Sequence, residues 1–264
     1  MPSKLEKFAE LDVLKNVFQN FNFKEPQLMH EKAPIQMKGL WHKNYFGNQN
    51  PIVLELACGR GEYTVALGER FPNKNFIGID IKGNRIHTGA TQARDRNLNN
   101  VAFLRSYIQI IHHFFERNEI AEIWITFPDP FPSKSDRMNR LTSPRFLDYY
   151  RQIFEAHIPI HFKTDNLPLF RYTLGVLDGR GIEPEEYVEN IYAIDKKVDD
   201  ILKIETYYER LHPHLLKNSS FAFFFALLTS PFHELKIRHV HRQVHFARIY
   251  PISICMPRKS KRTG

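Results

Sequence analysis

The chain has 264 residues, of which 42 % are apolar, enough for a substantial core and against a disordered or fibrous class. Its net charge of +8 invites an anionic partner, but residues 211–264 hold nine Lys/Arg against one acid, so the first 210 residues sum to zero. Two distant cysteines, Cys58 and Cys255, make no disulfide framework and match no metal-ligand spacing, which favours a reducing compartment and no metal. The N-terminal MPSKLEKFAELDVLKNVF lacks the apolar stretch of a signal peptide, and the run from Phe221 to Leu228 is too short to cross a bilayer. A cytoplasmic protein without membrane contact is expected.

From Ile52 onward, strand and helix patterns alternate. Strands are expected over 52–56, 75–80, 101–105, 120–127 and 159–163, each an apolar run bounded by polar or turn residues. Helices are expected over 62–70, from Lys82 to about Arg96, through the run after Tyr107, after Thr142-Ser143-Pro144, and over 169–177. The Thr-Ser-Pro start pairs a hydroxyl cap with a proline in the first turn. Repeated βα units imply an α/β fold, a doubly wound parallel sheet that binds ligands at the C-terminal ends of its strands.

The first such end is Ala57-Cys58-Gly59-Arg60-Gly61. Gly59 and Gly61 let the backbone approach a ligand closely. A dinucleotide fingerprint would need glycines at 57, 59 and 62, where the chain has Ala57, Gly59 and Glu62, and Glu62 would repel a pyrophosphate. Asp80 ends the second strand about 20 residues on, where a carboxylate can accept hydrogen bonds from both ribose hydroxyls. With Glu55, these acids suit a ligand carrying positive charge, and point to S-adenosyl-L-methionine.

Five segments, LeuGluLeuAlaCysGlyArgGlyGluTyr (54–63), AsnPheIleGlyIleAspIleLys (75–82), PheProAspPro (127–130), ArgLeuThrSerProArgPheLeu (140–147) and HisPheLysThrAspAsn (161–166), follow one order and spacing. Together they resemble the bacterial tRNA (guanine-N7)-methyltransferase family over about Leu40 to Arg210. The resemblance implies a class I, Rossmann-like methyltransferase that uses S-adenosyl-L-methionine to methylate N7 of guanosine 46 in the tRNA variable loop, as a monomer or homodimer. It divides the chain into an N-terminal extension (1–50), a methyltransferase domain (51–210) and an atypical basic segment (211–264).

Residue by residue, the resemblance gives Glu55, Gly59, Gly61, Asp80 and Tyr107 to the cofactor, and Asp129 to both the cofactor side and catalysis. Ser133, Lys134, Asp165, Thr206, Tyr207, Tyr208 and Glu209 fall to the substrate. Guanine N7 carries an in-plane lone pair and no proton, so positioning can supply much of the catalysis. Asp129 could accept from guanine N1–H and N2–H, and the prolines at 128, 130 and 132 would hold it on a loop with few donors and restricted φ. For Asp165 the alternative is helix capping; for Tyr207 and Tyr208, packing on a helix face rather than stacking on a base. Lys134, Arg137 and Arg140 could hold phosphates or form a solvated basic loop.

Two other readings stand beside this one: a class I methyltransferase with another substrate, against which the Pro-Asp-Pro-Phe order argues, and an RNA-binding member without turnover, which departures from the pattern sustain. Ala57 stands where the family has glycine, Tyr107 where it often has an acid, and Ser133 where a lysine is expected. Beyond Glu209, where the family normally finishes with a short strand-forming segment, this chain continues for 55 residues through an apolar run and a His/Arg-rich stretch that matches nothing in it. This segment reads either as a basic arm gripping tRNA phosphates or as an aberrant end from a reading-frame change near Arg210, in which case the last strands of the sheet would be missing.

Overall fold

In the computed structural model, which describes residues 3–154, 158–184, 186–188, 200–211 and 221–227, the chain opens with helix α1 (Lys4–Leu11). Ser3 and Glu6 close a capping box at its start, each side chain meeting the other's backbone N–H. Three short strands follow, β1 (Val17–Gln19), β2 (Leu28–His30) and β3 (Ala33–Ile35). The alternating region then runs β4 (Ile52–Leu56), α2 (Glu62–Arg70), β5 (Asn75–Asp80), α3 (Gly83–Asp95), β6 (Val101–Arg105) and β7 (Ile120–Thr126). Next come α4 (Pro144–Tyr150), β8 (Ile158–Thr164), α5 (Leu167–Asp178), β9 (Glu186–Val188), α6 (Tyr207–Leu211) and β10 (Phe221–Leu227). The run after Tyr107, expected to be a helix, is two short 3₁₀ turns within Ile108–His113, separated by a kink at Ile110, where φ is −114°.

The ten strands among the described residues form one sheet in the order β3-β2-β1-β6-β5-β4-β7-β8-β10-β9. Its centre, β1-β6-β5-β4-β7-β8, is parallel. Every residue of β4 and β5 is buried, as expected of strands covered on both faces and written as continuous apolar runs. The two edges are antiparallel, so the sheet is mixed rather than wholly parallel. Chain order reverses at β4, which lies between β5 and β7, and the crevice beyond this switch point is where a doubly wound sheet places its ligand.

The sheet runs across both expected domain boundaries. Residues before 50 supply β1–β3, and β10, from beyond Arg210, pairs with β8 in register from Phe221↔Thr164 to Leu227↔Ile158. The strand beside β8 is therefore in place, in contrast to the expectation tied to a changed reading frame. Of the basic segment expected to act as an arm, residues 211–264, only 211 and 221–227 are among the described residues, and the stretch from 228 onward lies outside them. No helix among the described residues is long and apolar enough to cross a membrane.

Candidate active site

At the end of β4 the backbone turns through Ala57, Gly59 and Gly61, all with left-handed φ of 56°, 58° and 74°. Ala57 takes a conformation that glycine adopts more readily, so the loop carries strain at this position. A Cβ on Gly61 would lie 2.5 Å from the Phe103 ring, whereas one on Gly59 would meet no atom within 4 Å. Gly61 is required by packing, and Gly59 leaves room above the loop. Asp80, at the end of β5, accepts from the N–H groups of Gly59 (3.0 Å) and Lys82 (2.7 Å). It borders a cavity of about 300 Å³ with Tyr107, Ile108 and Asp129. A carboxylate has about four acceptor positions, and Asp80 can still accept from two hydroxyls there.

Glu55 lies deeper. It accepts from the Thr64 N–H (2.8 Å), the Thr64 hydroxyl and the Thr126 hydroxyl (2.8 Å), tying β4 to α2 and β7. Burial outweighs these bonds and pushes its carboxyl up to about 7. Cys58 is buried between the carboxylates of Glu55, Asp80 and Glu62; burial first, then these charges, raise its thiol well above the usual range. It has no thiolate character for reactivity.

After β7 the chain enters the proline-rich loop. Phe127 and Phe131, on either side of Asp129, have φ of 47° and 42°, rare for bulky residues. Two anchors hold this strained backbone. Phe127 N–H donates to the Lys163 carbonyl (2.8 Å). The Arg140 guanidinium donates to the carbonyls of Pro130 (3.0 Å) and Phe131 (3.0 Å from Nη2) and stacks over the Tyr172 ring at 4.2 Å. Arg140 is 9 % exposed, so it is committed to the loop and does not face phosphates. Asp129 itself is exposed.

From the end of β8, Asp165 faces the cleft and accepts the Tyr208 hydroxyl, whose acidity is lowered by burial and then by the Asp165 charge. Capping of α5 falls to Asn166, which accepts from Leu169 N–H at 2.8 Å. Thr206 and Glu209 form a reciprocal cap at the start of α6. Glu209 is 3 % exposed and paired with the fully buried Lys163 at 2.8 Å, so it faces inward rather than toward a substrate. Lys163 also donates to the Tyr63 hydroxyl at 3.0 Å. Burial lowers the Lys163 ammonium, and Glu209 opposes that shift. Tyr207 stacks against the Arg60 guanidinium at 3.4 Å, while its N–H donates to Glu62 at 3.1 Å.

The larger space is a cleft of about 940 Å³ bordered by Glu55, Gly59, Asp129, Asp165, Thr206, Tyr207 and Tyr208. It shares Ala57, Arg85, Phe127, Pro128 and Asp129 with the smaller cavity. The structure thus brings together most of the residues nominated from sequence. Ser133 and Lys134 are exposed and border neither space; Ser133 instead bonds the Ser135 hydroxyl at 2.6 Å. Lys7, Arg85 and the anchor Lys163 escaped the sequence reading, and Arg140 was assigned to phosphates or solvent, because no spacing along the chain reports which cation turns inward. Among the described residues no cluster of three His, Cys, Asp or Glu side chains could hold a metal ion.

The fit to S-adenosyl-L-methionine rests on three features: the open space over Gly59, the spare acceptor positions of Asp80, and the carboxylates near a positively charged ligand. Known proteins give the same class. A family model described as "Putative methyltransferase" matches residues 49–218. A tRNA (guanine-N(7)-)-methyltransferase of Bacteroides fragilis is 48 % identical, covering 79 % of each chain. One of Porphyromonas gingivalis is 45 % identical over 72 % of this chain and 77 % of its own. Among solved structures, the 16S rRNA methyltransferase KamB superimposes with a TM-score of 0.54 at 12 % identity, over 75 % of this chain and 97 % of its own, and supports the fold alone. By fold, by the motifs that meet in the cleft and by these relatives, the chain belongs to the tRNA (guanine-N7)-methyltransferase family, class I methyltransferases that use S-adenosyl-L-methionine.

Proposed function

We propose that the protein is a cytoplasmic enzyme that transfers a methyl group to N7 of a tRNA guanine, at position 46 of the variable loop. The observation that carries this reading is Asp129. It borders both the nucleoside-sized cavity and the larger cleft, on a loop held by strained phenylalanines and by Arg140. S-adenosyl-L-methionine, when bound, supplies an electrophilic methyl group on a sulfonium sulfur. Asp80 would hold its ribose, and Gly59, Gly61, Glu55 and Tyr107 would line its path.

The protein's task is to present guanine edge-on and to balance charge. N7 needs no base to deprotonate it, so positioning can contribute about 7–11 kcal/mol. Asp129 accepts from guanine N1–H and N2–H at the edge away from N7 and stabilises the positive charge that grows on the ring. Asp165, fixed by the Tyr208 hydroxyl, offers a second acceptor, and Thr206 and Tyr207 complete that wall.

The test is methyl transfer from labelled S-adenosyl-L-methionine to unmodified tRNA, mapped by aniline cleavage. Label at a variable-loop guanosine is expected, and Asp129→Ala should lower the rate about 10²–10³-fold. Folded wild-type protein that binds tRNA without transferring label would overturn the reading in favour of a binding protein without turnover.

A further inference from the structure

Cations gather on one side of the cleft and the acids Asp129 and Asp165 on the other, and the acid on the cation side, Glu62, is already engaged by the Arg210 guanidinium and the Tyr207 N–H. Asp129 and Asp165 stand at the ends of β7 and β8; the cations on the cleft's border are Lys7, Arg60 and Arg85, from α1, the first loop and α3. Among the described residues none of these three forms an ion pair, although Arg85 is near enough to Asp80 to favour its ionised form. Arg60 lies flat on the Tyr207 ring, which fixes the guanidinium while leaving its edge N–H groups available.

Lys7 reaches the cleft because α1 is docked on α3 at a defined place. Gly83 opens α3, and a Cβ there would lie 2.7 Å from Phe8 and 3.0 Å from Leu11, so the start of α3 is shaped to receive α1. The Glu10 carboxylate is hydrogen-bonded to the His87 ring of α3, and the Arg105 guanidinium packs over Phe8 at 4.8 Å. The docked helix lies outside the residues matched by the family model.

A guanosine whose N1–H and N2–H face the carboxylate wall must turn its phosphates elsewhere. The cations first nominated for phosphate do not border the space: Arg140 is tied to loop carbonyls, and Lys134 and Arg137 are exposed outside it. We propose that Lys7, Arg60 and Arg85 form a phosphate-binding wall that seats the phosphodiester beside the target guanosine, with α1 as part of the tRNA site. This inference rests on the tRNA methyltransferase reading above.

Binding of unmodified tRNA, with S-adenosylhomocysteine present, is followed by fluorescence anisotropy over a salt series for the wild type, Lys7→Ala, Lys7→Arg and Arg85→Ala. Each phosphate contact removed should make the slope of log K against log salt shallower by about one unit. Lys7→Arg should restore the slope. Slopes equal to wild type in both alanine variants would overturn the proposal. So would a matching loss of S-adenosylhomocysteine affinity by calorimetry, since the cations would then serve the cofactor's carboxylate. Methyl transfer by the wild type, run in parallel, separates the two readings: its absence defeats the proposed function whatever the slopes, whereas its presence with unchanged slopes defeats only the phosphate wall.

Discussion

Glu55 ties β4 to α2 and β7 and also borders the cleft proposed to take the cofactor. Its three internal hydrogen bonds favour the ionised form, yet burial dominates and brings its carboxyl to about 7 from an ordinary 4.5. Between those values the folded protein holds a proton that the unfolded chain has released. This group's contribution to stability is therefore complete below about pH 4.5 and is lost as pH rises through about 7. S-adenosyl-L-methionine bound as proposed would reverse the preference, because a sulfonium and an ammonium group near Glu55 favour the carboxylate. Affinity for S-adenosyl-L-methionine should then rise between pH 6 and pH 8, by up to about tenfold if only the ionised form binds. Glu55→Gln can keep the packing, with its oxygen toward Thr64 and its NH₂ toward Thr126, and should flatten that rise. Calorimetry at several pH values checks both; a wild-type affinity that is level over this interval would remove Glu55 from the cofactor's surroundings.

At the scale of the element, the loop from Phe127 to Arg140 is stiffened more by its anchors than by its prolines. The prolines restrict φ and remove donors, but Phe127 and Phe131 would leave their left-handed conformations without bonds to hold them. Arg140→Ala removes donors from two carbonyls and the cation over Tyr172. Methyl transfer at saturating cofactor and tRNA should fall by about 10²-fold as Asp129 drifts. Arg140→Lys should recover part of that loss, and S-adenosylhomocysteine affinity should change little. A loss confined to KM would show that the loop binds tRNA rather than orienting Asp129. Asp129 was legible as a candidate because PheProAspPro stands in order with the other motifs, whereas prolines around a single acid would by themselves fit a stiff turn. The sequence left Arg140 misread, because an arginine in a basic loop looks the same whether it faces solvent phosphate or its own carbonyls. The central strands were legible as buried apolar runs, and β4, β5 and β6 fall where those runs predict. β1, β2 and β3 were not, because three-residue strands have no period and exist only through pairing with their neighbours.

For the whole molecule, the strand beside β8 matters because β8 carries Lys163 and leads directly into Asp165. β10 comes from the segment beyond Arg210, and in the sequence its apolar run reads equally well as part of an aberrant tail. In the fold it covers the full length of β8. Phe225, opposite Ile160, is completely buried and belongs to the core that also contains Ile125, Phe162 and Phe170. Truncating a buried phenylalanine to alanine costs about 3–5 kcal/mol, a large share of the roughly 5–15 kcal/mol that holds a typical domain together. Phe225→Ala should therefore lower the urea midpoint sharply. At low temperature, where most molecules remain folded, methyl transfer per folded molecule should stay close to wild type, because Phe225 touches neither cavity. A midpoint unchanged by the substitution would mean that β10 contributes nothing to the sheet and that the methyltransferase core ends before it. A normal midpoint with lost activity would instead place the segment beyond Arg210 in the chemistry rather than in the scaffold.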